Sequence, residues 1–438
     1  MLPTDTTKLT GATEAATTEY LAAQHQLRCL IADPLAHADA ALAEAPGFLM
    51  AHALRAYLHL LGTEPAGIPV AQECLDAGRV LGGTDAEQGH LAAVEHLVEG
   101  RWHAAGRVLE DVAINDPHDL LALQIGHQID FFTGSSRMLR DRIARALPAW
   151  DPSMPGYHAL LGMHAFGLEE MGDYARAESE GRRAVELQPR DTWAQHAVAH
   201  VMEMQGRLDD GVAWMTDNQA DWSVDSFFSV HNWWHLSLYL LELGDLDGAL
   251  ALYDGPIGGG TSAVTLDMLD ASALLWRLHL RGVDVGNRWE AIADQWMPLA
   301  GAGNYAFNDA HAVMAFVGSG RSAAIDEVLA AQDEAVARNG DNAAFTREVG
   351  SPVTRAVLAF GAGDYAQTVA LLRPVRAIAH RFGGSHAQRD VLDLTLIEAA
   401  CRAGQDQVAA ALVGERLAWK PQSPLSRLFA QRTGVHAA

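Results

Sequence analysis

Cysteine is scarce: Cys29, Cys74 and Cys401 are the three in 438 residues, scattered and without a CxxC pair. That argues against a disulfide framework or a thiolate zinc site and fits a reducing compartment. Long apolar runs are missing as well. No stretch approaches the roughly 18 uninterrupted apolar residues of a membrane span. The opening MLPTDTTKLTGATEAATTEY has neither the basic start nor the apolar middle of a secretion signal. The expectation is a cytoplasmic protein with no membrane partner, a monomer or a homodimer. Basic residues number 31 against 55 acidic, a formal net charge of -24, and they form no stripe. A phosphate backbone would be repelled, so nucleic acid is not an expected partner. The signatures HExxH, GxSxG and the Walker glycine loop are all absent, and the GGG at 258–260 lacks a following lysine. No cofactor is expected, and no residue is assigned as a metal ligand.

What the chain does have is a repeated phrase. An apolar helical stretch, a glycine, a charged residue and often an aromatic or leucine, then an alanine-rich stretch, recur as EGRW at Gly100, MGDY at Gly172, QGRL at Gly206, LGDL at Gly244 and AGDY at Gly363. Weaker copies at Gly62, Gly134, Gly282, Gly320 and Gly404 complete a series with intervals of 34 to 43 residues. A glycine just past an apolar helix supplies a left-handed cap, after which the next helix packs back antiparallel. No strand-like alternation competes. The predicted fold is all-α, an α-solenoid of about ten antiparallel helical hairpins. Residues 1–20 are expected to be a lead-in and 21–438 one solenoid domain. GGG at 258–260, and second GAGN at 301–304, are the best candidates for flexible links, neither long enough to separate domains.

The pattern resembles the tetratricopeptide repeat. Taken together, GMHAFGLEEMGDYARAE, HAVAHVMEMQGR, VHNWWHLSLYLLELGDLDGAL, FNDAHAVMAFVGSGR and SHAQRDVLDLTLIEAA look like the tetratricopeptide repeat protein 38 family, from about residue 20 to about 430. The resemblance implies a helical repeat array that binds its ligands along the concave groove. It implies no particular activity.

Twenty histidines are many for this chain, and a number sit in apolar helical context. On a 3.6-residue helix, positions thirteen, ten, six and three before each hairpin glycine share one face, with nine before it alongside. There fall His90, Gln124 and Gln128, then His196, His200 and Glu203, then His231, Trp234 and His235, then His311 beside Asn308 and Asp309. Trp233 falls on the packing side. His96, His127, Asp130 and His164 fall where small or apolar residues are expected, and burying them unsatisfied would cost on the order of 1–3 kcal/mol each. His127 and Asp130 come as a pair in GHQIDFF and are kept as ligand candidates.

HAVAH followed by Glu203 gives i, i+4, i+7 spacing, which lets two imidazoles and a carboxylate point one way. With 20 histidines in the chain, chance alone supplies about one HxxxH pair of the two present, so spacing carries little. The shared face carries more. His196, His200, Glu203, His231 and His235 are therefore the candidate acid/base residues, because imidazole titrates near neutrality. Trp234, Asn308, Asp309 and His311 are candidate ligand contacts. GSHAQRD adds His386, Gln388, Arg389 and Asp390, with Ser385 able to cap the helix and Arg389 able to pair with Asp390 or Glu398 or to clasp an anion. The leading expectation is a His-rich, partly closed groove binding a small polar organic molecule, with His/Glu acid/base turnover in its range. Two alternatives stand beside it: a scaffold binding an extended peptide or protein partner, and a metal-dependent hydrolase using the HxxxHxxE residues.

Overall fold

A computed structural model of the chain describes residues 9–435. Among these the chain is all helical, with no strand and a single isolated bridge between Ile31 and Ser226. No helix among them is long and apolar enough to cross a membrane.

The predicted hairpins are present. Gly172 (φ 81°) and Gly244 (φ 83°) turn left-handed between helices, with no atom within 4 Å of where a side chain would sit. Glycine is there for its backbone freedom, not for want of room. The same conformation recurs at Gly100, Gly134, Gly206, Gly282, Gly320, Gly363 and Gly404. Gly62 is the exception. Its helix ends at Leu60, and the left-handed position falls one residue later, on Thr63 (φ 58°).

The chain divides into two compact units. One comprises the residues up to Val198 with Gln219–Ser229 and Asn339–Asp341; the other comprises Ala199–Asn218, Val230–Arg338 and the chain from Asn342 onward. Of the expected 1–20 lead-in, residues 1–8 lie outside the described part. Helix Glu14–Cys29 already begins within the remainder, capped by Thr13. The GGG at 258–260 is not a loose link: it forms a tight turn in the second unit, and a Cβ on Gly260 would meet Tyr253 Oη at 2.8 Å and Ile292 at 2.9 Å.

In the first unit, helical pairs follow one another from Glu14–Cys29 with Pro34–Glu44 to Tyr157–Glu170 with Tyr174–Leu187. Small residues set the close approaches. Ala177, Gly181 and Ala184 line the buried side of Tyr174–Leu187, and a Cβ on Gly181 would meet Val198 at 2.7 Å. The pair in GHQIDFF is built into this core. Asp130 takes a bidentate ion pair from buried Arg142 at 2.7 and 3.1 Å, and Gly126 leaves the space the guanidinium occupies. His127 Nδ1 lies 3.3 Å from the Leu139 carbonyl, with Phe166 and Trp193 edge-on to its ring. Burial, with Arg142 nearby, lowers its pKa to about 3, so it is neutral. His164 is satisfied by Glu180 at 2.5 Å, and His90 lies between Tyr57 and Asp119. Each answers the cost of burial with a hydrogen-bonding partner.

In the second unit, helix Ser229–Leu243 is buried almost all round, as befits an interior helix. Tyr239 ties it to helix Thr192–Gln205 by donating to the Ala199 carbonyl at 2.5 Å, and Gly211 leaves room for the Tyr239 ring. Helix Thr265–Leu280 packs against helix His386–Arg402, where Trp276 Nε1 donates to Thr395 at 3.0 Å. These helices carry the candidate site.

Candidate functional site

Tyr239 sets helix Ser229–Leu243 so that His235 falls beside His200, their ring centroids 4.4 Å apart. Both rings are fully buried. Burial, reinforced for each by a neighbouring histidine, pushes their pKa values well below the ordinary histidine range. From His235 a file of polar contacts runs in both directions. Its Nε2 lies 3.3 Å from His231 Nε2, and His231 Nδ1 lies 2.8 Å from Asp270 Oδ2. On the other side, His235 Nδ1 is 3.4 Å from Glu203 Oε2. Glu203 Oε1 is then 3.5 Å from Lys420 Nζ, which is 3.7 Å from Asp390.

Asp390 anchors the far end. Arg416 holds it bidentately at 2.6 and 3.0 Å. Burial alone would raise the Asp390 pKa, but Arg416 and Lys420 overcome that and hold it below the usual carboxylate range. Burial likewise works against the Lys420 charge, and Asp390 and Glu203 more than reverse it, so its pKa lies above that of an ordinary lysine. Arg277 reaches in from helix Thr265–Leu280. Its guanidinium lies 5.2 Å over the Trp234 ring and donates to the Ala387 carbonyl at 2.7 Å. Desolvation lowers its pKa to about 10, still charged at neutrality.

Glu203, Lys420, Asp390 and Arg277 line a cavity of about 360 Å³ within the second unit. Its other lining includes Leu238, Leu241, Leu246, Leu280, Leu394 and Phe429, the charged Glu242 and Arg281, and the ion pairs of Glu398 with Arg402 and Arg432. Polar groups set among apolar walls can orient a small molecule.

The structure gathers some of the expected residues and separates others. His200, Glu203, His231, His235 and Asp390 come together, and His386 lies near enough to His200 to affect its charge. His127 and Asp130 lie apart, in the first unit, and the His196 ring stacks on Phe166 at 5.5 Å. Trp234 does not line this cavity: it is fully buried, stacked on His231 beneath Arg277. Trp233, expected to pack, is only half-buried. His311 bonds the Phe307 carbonyl of its own helix at 2.8 Å, and burial lowers its pKa to about 4. Asn308 is buried beside it. Asp309 accepts from Gln332 at 3.3 Å, and burial raises its pKa to about 7. Ser385 and Gln388 form a reciprocal capping box at the start of helix His386–Arg402. Arg389 donates to the Gly384 carbonyl. Adjacent residues on a helix do not face each other, so Asp390 is left to Arg416 and Glu398 to Arg402 and Arg432.

Asp270, Arg277, Arg416 and Lys420 were not anticipated. Asp270 and Arg277 did leave a trace, as lone charges in the otherwise apolar MLDASALLWRLHL. Lys420, in the link after the last hairpin, left none.

No family profile matches this chain. Among solved structures it is similar to yeast Tom70, at 12% identity and a TM-score of 0.32, over 92% of this chain and 85% of that one. At that distance nothing passes from it to this chain, which its own helices define as a helical repeat protein of the tetratricopeptide-like, α-solenoid kind.

Proposed function

We propose that this helical repeat protein binds a small organic molecule with a polar head and an apolar body in the second unit's cavity, and that Glu203 moves a proton at the head. Behind this lies the cavity's mixed lining: Glu203, Lys420, Asp390 and Arg277 among its charged groups, and Leu238, Leu241, Leu280 and Leu394 among its apolar ones. Lys420 favours it further, because its contacts to Glu203 and Asp390 at 3.5 and 3.7 Å are long for charge-assisted hydrogen bonds, so a ligand oxygen can compete for its ammonium. Glu203 is positioned from behind by His235. A volume of about 360 Å³ suits a small molecule. An extended peptide, advancing about 3.3 Å per residue, needs a longer open groove. Kinship with the tetratricopeptide repeat protein 38 family is part of the same proposal and rests on the phrases around His200, His235, His311 and His386.

A thermal-shift screen of small carboxylates, phosphates and amines with apolar tails tests the proposal. Compounds that stabilise the wild-type chain should lose their effect on Leu428→Trp, which fills the exposed rim of the cavity. Stabilisation that is equal in both proteins places binding elsewhere and refutes it.

A further inference from the structure

The file of contacts behind Glu203 has a feature that acid/base chemistry in the cavity does not require. Nδ1 of His231 faces Asp270 at 2.8 Å and Nδ1 of His235 faces Glu203 at 3.4 Å. A neutral imidazole carries one N–H, and the hydrogen bond to Asp270 places that of His231 on Nδ1. His231 Nε2 then presents its lone pair toward His235 Nε2 across 3.3 Å. In the metal-free chain His235 meets it as an Nε2–H donor. A bound cation instead takes a lone pair from each ring. Two Zn–N bonds of about 2.0–2.1 Å at a tetrahedral angle hold their nitrogens roughly 3.3–3.4 Å apart, the separation found here.

A third imidazole completes the set. His200, from helix Thr192–Gln205, offers a ring nitrogen, and one nitrogen from each of His200, His231 and His235 lies within 4.8 Å of the others. Asp270 and Glu203 stand where second-sphere carboxylates stand on metal-bound histidines, fixing the tautomer and ring orientation and offsetting a double positive charge in a buried place.

We propose that His200, His231 and His235 bind one divalent transition-metal ion, with zinc as the foremost candidate, oriented by Asp270 and Glu203. The ligand set differs from the HxxxHxxE trio expected from spacing: it uses both histidines of HNWWH and one of HAVAH. The site stands independently of the cavity proposal, since it is tested with metal alone.

The full-length chain, stripped with chelator and dialysed, is titrated with Co²⁺ while visible absorption is followed. The expected result is one Co²⁺ per chain, with the intense ligand-field bands of a tetrahedral site that are quenched by Zn²⁺. His231→Ala/His235→Ala should abolish the bands, and Asp270→Asn, which keeps all three ligands, should weaken affinity by about 10–100-fold while circular dichroism is unchanged. Co²⁺ that adds without tetrahedral bands to the folded wild-type chain overturns the proposal, as does binding equally tight in wild type and Asp270→Asn.

Discussion

Asp390→Asn is expected to destabilise the protein by on the order of 3–5 kcal/mol, because it removes the charge that two buried cations share. Arg416 and Lys420 are 4% and 6% exposed, and Asp390 sits between them with bidentate bonds to the first. Breaking a buried pair from one side leaves the other side's charge desolvated, which is worse than never having had the pair. For a unit of this size that corresponds to a fall in Tm on the order of 10 °C. Asp393, three residues on, is the control: its pair with Arg376 has side chains 30% and 29% exposed, so Asp393→Asn should cost about 1 kcal/mol or less. The pH dependence has a definite sign. The folded-state pKa of Asp390 is depressed below its unfolded value, so its stabilisation is present above the unfolded pKa and is lost as pH falls toward the folded one. Asp390→Asn should therefore flatten the acid limb of the wild-type stability curve. Thermal unfolding at pH 7.5 and at successively lower pH measures both effects, and a variant that melts within 1–2 °C of wild type by the same measurement contradicts the assigned role.

The second large effect is on chemistry. Glu203→Gln keeps the size of the side chain and removes its ability to accept a proton. On compounds that the wild-type chain binds and converts, kcat should fall by about 10²–10⁴-fold, the usual contribution of a positioned acid or base. KM should move far less, because Lys420, Asp390 and Arg277 still line the cavity. Steady-state kinetics separate the two parameters. A loss confined to KM would make Glu203 a binding group only, and an unchanged kcat would remove it from the reaction.

The hairpins were legible because one local rule, a left-handed glycine after an apolar helix, repeats along the chain. Where that rule slipped, at Gly62, the backbone had moved its turn to Thr63. Helical spacing put His200, Glu203, His231 and His235 on one face, and the structure buries His200 and His235 completely. Which histidines would meet was less legible, since spacing within one helix is silent on the register between two, and Tyr239 with Gly211 sets that register. His127 and Asp130 stood out correctly as anomalies, and Gly126 and Arg142 supply a structural reason for Asp130. The cations of the cavity were the least legible. Arg277 and Lys420 lie 74 and 217 residues from Glu203 in sequence and reach it only through packing of helices Thr265–Leu280 and His386–Arg402 and the chain beyond.

Diffraction data from the wild-type protein, purified without chelator and crystallised with the most strongly stabilising compound of the screen, test the central claim most directly. The predicted result is density in the cavity with the compound's polar head within hydrogen-bond distance of Glu203 and Lys420 and its apolar part along Leu238, Leu241 and Leu394. The contradictory result is the compound bound elsewhere while the cavity holds only ordered water.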